Sequence, residues 1–144
     1  MAPLLDRIIE FSTNHVLLVG SWVGLLGALF VIESRRGGET LTSQQVTNLI
    51  NGEGALVLDV RDPKDFQAGH ITGSTNIPFN RINERIGEIE HYKDKPVVLV
   101  CAMGQHAGMV GRILHTKGFK NVRRLAGGIS TWKTDGLPLV KAKK

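Results

Sequence analysis

One residue of the 144 is a cysteine, Cys101, and it stands where the apolar run Pro96-Val97-Val98-Leu99-Val100 meets Cys101-Ala102-Met103-Gly104-Gln105-His106-Ala107-Gly108. A thiolate is a nucleophile, and its reactivity depends on what surrounds the sulfur. The apolar run reads as a buried parallel strand, and in open parallel sheets ligands bind beyond the carboxyl ends of the strands. If the segment curls before a helix that begins around Gly108-Met109-Val110, the amides of Ala102 to Ala107 converge on the sulfur with a helix N-terminus behind them. Such a nest holds an anionic sulfur. The same position also suits an inert core cysteine, because free Cys is among the most buried residue types. The local pattern leaves both readings open.

Two further segments carry charged or turn-forming residues to the same region. Ala55–Val60 reads as a strand, so Asp59 and Arg61 emerge at the sheet edge that carries Cys101. Asp62-Pro63 then reads as a helix N-cap with proline in the first position, and Gly69 as the stop. Gly69-His70-Ile71-Thr72-Gly73 permits a tight connection into a short strand, Thr75–Ile77. His70 reads as a turn residue that satisfies local hydrogen bonds rather than as a base. Downstream lies Leu125-Ala126-Gly127-Gly128-Ile129-Ser130-Thr131-Trp132, and then Gly136-Leu137-Pro138-Leu139-Val140.

Taken in order, Asp59-Val60-Arg61, Gly69-His70-Ile71-Thr72-Gly73-Ser74-Thr75-Asn76-Ile77-Pro78 and Gly127-Gly128-Ile129-Ser130-Thr131-Trp132, with the cysteine loop between the second and third, resemble a rhodanese homology domain. The resemblance covers about residues 40–140, and three ordered motifs are more specific than any one of them. It implies a single-domain sulfurtransferase. Cys101 would carry sulfane sulfur as a persulfide from a small anionic donor such as thiosulfate, or from a protein persulfide, to a thiol or cyanide acceptor. Ala102, Met103, Gly104, Gln105, His106 and Ala107 would then bind substrate, and Asp59 and Arg61 would brace the loop.

One departure from the family pattern bears on substrate. Many active members carry a basic residue five positions after the cysteine, and here His106 stands there beside a neutral loop. A neutral imidazole is a poor substitute for a guanidinium in holding a sulfonate-type anion. Thiosulfate use is therefore expected to be weak, with a protein persulfide as the natural donor. Cysteine phosphatase chemistry is not expected, because it needs an arginine six residues after the cysteine and Ala107 stands there. The alternative to catalysis is a weakly or non-catalytic rhodanese-fold interaction module at the membrane, binding a translocation or assembly partner.

The elements that must position these residues alternate. Thr42-Ser43-Gln44-Gln45 opens a helix with a capping-box pattern, carried on by Val46, Leu49 and Ile50 and closed near Gly52. Glu84–His91 and Met109–Lys117 read as further helices, and Asn121–Leu125 as another strand. The expected fold class is α/β, a parallel sheet with helices on both faces, preceded by one transmembrane helix. About 100 residues suffice for one such core and not for two.

Val16–Ile32 is uncharged, and as a helix it spans roughly 25 Å, enough for a short transmembrane segment. A cleaved signal peptide fits less well, since no basic cluster precedes the run and no A-x-A site follows. The expected division is an N-terminal segment 1–15, a span 16–32 in membrane lipid, a linker 33–39, a domain 40–140 and a basic tail 141–144. Arg35-Arg36 follow the span, which places the domain on the cytoplasmic side of a bacterial inner membrane. A lone thiol nucleophile also suits a reducing compartment. Gly20, Gly24 and Ala28 recur on one face and could pack against a membrane-protein partner. The net charge of +5 and pI of 9.7 suit an anionic leaflet or anionic donors. There is no zinc spacing, basic helix or aromatic platform, so no nucleic-acid partner is expected, and neither a metal nor another cofactor.

Overall fold

The computed structural model describes residues 2–142, so Lys143 and Lys144 of the expected basic tail lie outside it. The chain divides into two units, one ending at Arg35 and one beginning at Arg36.

The first unit holds two helices, α1 (Ala2–Asn14) and α2 (Val16–Arg35). Sequence pattern assigned no element to residues 2–14. Helix α2 extends three residues past the apolar run and has no buried side chain. At 20 residues it is about 30 Å long. By length and composition it can cross a membrane.

The second unit runs β1 (Glu39–Leu41), α3 (Ser43–Glu53), β2 (Leu56–Asp59), α4 (Pro63–Ala68) and β3 (Thr75–Asn76). A 3-10 turn at Phe79–Arg81, α5 (Ile82–Arg85) and a second 3-10 stretch at Ile86–Tyr92 follow. It closes with β4 (Val97–Val100), α6 (Gln105–Thr116), β5 (Val122–Leu125) and α7 (Gly128–Thr134). The five strands form one parallel sheet in the order β1-β5-β4-β2-β3.

Strand alternation sorts the core onto two faces. Leu56, Leu58, Val97 and Leu99 point to one side, where they pack with Ile82, Ile89, Val110 and Leu114 of α5, the second 3-10 stretch and α6. Val57, Val98 and Val100 point to the other, against Val46 of α3 and Ile129 and Trp132 of α7. Both faces of the central strands are therefore covered, which is why β2 and β4 read as continuous apolar runs. Each such side chain contributes about 1.5–3 kcal/mol on burial.

Local signals explain most boundaries. The Thr42 hydroxyl accepts from the Gln45 amide at 3.3 Å and the Gln45 side-chain oxygen accepts from the Thr42 amide at 2.9 Å, a full capping box. Helix α3 runs past the expected Gly52 stop and ends at Glu53, with Gly54 in the left-handed region. The expected helix Glu84–His91 is instead the four-residue α5 followed by a seven-residue 3-10 stretch. The expected linker 33–39 reaches into β1, where parallel pairing of Glu39 with Arg123 recruits its last residue.

Candidate active site

Cys101 continues the alternation of Val97 and Leu99, so it joins the core on the α6 face and is only 2% exposed. Its sulfur accepts the amide of Gly104 at 2.8 Å. That contact depends on Gly104, whose φ of 93° lies in the left-handed region that non-glycine residues enter only at a cost. Gly104 is also the N-cap of α6, which begins at Gln105 and not around Gly108 as the sequence suggested. The loop is therefore three residues long, Ala102 to Gly104. Gln105, His106 and Ala107 form the first helical turn, whose orphan amides give the helix N-terminus partial positive charge.

The six loop candidates thus separate. Ala102, Met103, Gln105 and His106 are exposed, Met103 by 66%. Gly104 is half-buried at the sulfur, and Ala107 is buried in the cluster that includes Cys101. His106 stacks on Phe79, with ring centroids 4.2 Å apart and planes within 6°.

Asp59 and Arg61 sit at the end of β2, next to the end of β4, where Asp59 pairs in register with Val100. The Asp59 carboxylate, 1% exposed, accepts from Arg61 Nη2 at 2.7 Å, from Nε at 3.0 Å and from the Arg61 amide at 3.1 Å. Arg61 Nη2 also donates to Gly69 O at 2.8 Å, and Asn76 Nδ2 donates to the carbonyls of Asp59 and Arg61 at 3.0 and 2.9 Å. The buried charges are paired and hydrogen-bonded, and they tie β2, β3 and the Gly69 turn into one corner. His70 completes that corner: its backbone pairs with Val140, its Nδ1 lies 2.8 Å from Phe66 O, and its ring stacks on Phe66 at 3.9 Å.

Sequence reasoning missed the group that holds the cysteine from behind. The first amides of α7 donate into the loop, Ile129 N–H to Cys101 O at 2.9 Å and Ser130 N–H to Ala102 O at 3.2 Å. Gly127 and Gly128 both have positive φ, and a Cβ at Gly128 would overlap the Cys101 carbonyl oxygen. The Gly127-Gly128 doublet was the available signal: two adjacent glycines ahead of a helix mark a close backbone approach. Phe79 was also missed, because stacking between residues so far apart in sequence has no local signature.

A cleft of about 690 Å³ opens beside the loop, walled by Ala102 and Met103 together with Arg61, Gly69, Ile129 and Lys133 among others. Cys101 is not in its wall, so the cleft gives access to the loop rather than to the buried sulfur.

The rhodanese-like domain family model matches residues 42–135, which takes in all of these motifs. The chain belongs to this family. It is 35% identical over 143 residues to the uncharacterized protein YibN of Escherichia coli K12, covering 96% of this chain and 100% of that one. The thiosulfate sulfurtransferase GlpE of Pseudomonas entomophila is 34% identical over 85 residues, covering 59% of this chain and 76% of that protein. The crystal structure of a rhodanese-related protein from Thermoplasma volcanium superposes with a TM-score of 0.65 at 29% identity, covering 72% of this chain and 99% of that one. This rhodanese-like chain thus shares its fold with the solved protein, and a sulfurtransferase stands among its more distant relatives.

Proposed function

We propose that this rhodanese-like protein is a membrane-anchored sulfurtransferase that carries sulfane sulfur on Cys101. The observation that carries the reading is the Gly104 amide directed at the Cys101 sulfur, at the head of α6. In the first half-reaction the Cys101 thiolate attacks the outer sulfur of the donor. A new S–S bond forms as the donor's own S–S bond breaks, and the leaving group, sulfite when the donor is thiosulfate, departs with the electron pair. In the second half-reaction a thiolate or cyanide attacks the terminal sulfur of the persulfide, and Cys101 leaves as thiolate. The Gly104 amide, at the head of α6, donates to the Cys101 sulfur and favours negative charge on it when it attacks and again when it leaves.

The exposed His106 in place of a fixed cation argues for a donor that does not depend on a guanidinium clamp. An open cleft walled in part by the exposed Met103 gives a protein donor a surface to dock against beside the loop. The reading takes residues 40–140 as the catalytic domain and 16–32 as a single span, with Arg35 and Arg36 favouring a cytoplasmic domain. Support for the span is the length and apolar composition of α2.

The test is thiocyanate formation from cyanide with thiosulfate or a protein persulfide as donor, comparing wild type with Cys101→Ala. Turnover by the wild type alone supports the proposal. No turnover with either donor, on folded protein, favours the interaction module, which the uncharged loop also accommodates.

A further inference from the structure

We infer that α1 is a lipid-binding helix that lies in the membrane interface beside the point where α2 enters the bilayer. The inference rests on the reading of α2 as a span. At about 100° per residue, Leu4, Leu5, Ile8, Ile9 and Phe11 fall within an arc of roughly 160°, while Asp6, Arg7, Glu10, Thr13 and Asn14 occupy the opposite side. The five apolar side chains are each at least 53% exposed. Ser12 is the polar residue within the apolar arc, and its hydroxyl donates to Ile8 O at 2.7 Å, so it brings no unmet donor to an apolar surface.

What covers this face follows from its adjacency to α2, from which a break at His15 separates it. His15 N–H donates to Phe11 O, closing α1, and Val19 N–H donates to His15 O, opening α2, both at 3.0 Å, so the two helices meet at His15, which belongs to neither. The His15 and Phe11 rings lie 4.7 Å apart on the same side. The apolar arc of α1, which ends at Phe11, therefore stops little more than one turn before the apolar run of α2 begins at Val16. Helix α1 does not prolong the span, because α2 alone matches a hydrocarbon core of about 30 Å. Sinking Asp6, Arg7 and Glu10 to mid-bilayer depth would strand three charged side chains in hydrocarbon. A helix with one apolar face and one charged face beside a span fits the boundary between headgroups and acyl chains. With Asp6 and Glu10 against Arg7, attachment is apolar rather than electrostatic, so it needs no anionic lipid.

The test uses the full chain with Cys101→Ala, so that a single introduced cysteine carries a spin label. Leu5→Cys and Ile8→Cys report the apolar face, Asp6→Cys and Glu10→Cys the polar face, and Leu25→Cys the middle of α2. Each is reconstituted into vesicles of phosphatidylcholine, with and without phosphatidylglycerol, and its relaxation by oxygen is compared with that by aqueous nickel-EDDA. The expected result is oxygen-dominated relaxation at positions 5 and 8, nickel-dominated relaxation at 6 and 10, and the same pattern in both vesicles. Equal nickel access all round α1 would overturn the inference, as would labels at 6 and 10 as oxygen-rich as that at 25. Shielding of 5 and 8 from both reagents would also overturn it, by placing a protein surface there. Nickel access at position 25 would remove the span itself, and with it this inference.

Discussion

The amide of Ile129 donates to the carbonyl of Cys101 at 2.9 Å, so the N-terminus of α7 holds the strand end that presents the thiol. This bond links the third sequence motif to the cysteine loop. It requires a residue without a side chain at Gly128, where the backbone passes against the Cys101 carbonyl.

Gly128→Ala is accordingly expected to displace the loop. Overlap with Cys101 O and the positive φ of 60° both oppose a Cβ, and the expected destabilisation is about 1–3 kcal/mol. Urea denaturation reads the stability, and the rate of persulfide formation reads the displacement. An unchanged midpoint with unchanged rate would show that α7 does not hold the loop.

Asp59→Ala leaves the Arg61 guanidinium, 8% exposed, without its carboxylate. Removing one partner of such a pair is expected to cost about 3–5 kcal/mol. The double variant Asp59→Ala/Arg61→Met should lose less than the two single variants added together, since neither charge is then stranded. Additive losses in thermal unfolding would argue against the pairing.

How much of this was legible in the sequence depends on the range of the interaction. The strand Val97–Val100 and the Thr42 capping box follow from local alternation and capping chemistry, and α4 starts at Pro63 and stops before Gly69 where the pattern put it, though the Asp62 side chain makes no cap hydrogen bond. The start of α6 does not. Gln105, His106 and Ala107 look like loop beside two flanking glycines, and only the left-handed Gly104 shows that the helix begins at once. The 3-10 geometry of Ile86–Tyr92 likewise follows from tertiary packing, with Ile89 drawn into the core. Bonds from Ile129 and Ser130 to the loop, and the Phe79–His106 stack, join residues more than twenty positions apart and leave no periodic trace.

His106→Arg is expected to lower the thiosulfate KM about tenfold, the equivalent of roughly 1.4 kcal/mol from one charge-assisted hydrogen bond. The effect should be absent with a protein persulfide donor. His106→Ala should weaken thiosulfate use further, and an unchanged KM in both variants would show that this position does not face the donor.

Thr42→Ala removes one half of the capping box, at an expected cost of about 1 kcal/mol. Helix α3 packs on the face of the sheet opposite α6, so sulfur-transfer rates should stay at the wild-type level while the melting temperature falls. A fall in rate at a temperature where the protein is fully folded would contradict that separation.

The central claim is that Cys101 takes up one sulfur atom. Intact mass spectrometry of the full chain after incubation with thiosulfate, or with a protein persulfide, tests it directly, with Cys101→Ala alongside. The account predicts a gain of about 32 Da on the wild type alone, reversed by a thiol acceptor. A wild-type protein that is folded yet gains no mass with either donor, or a Cys101→Ala protein that gains it equally, would contradict the account.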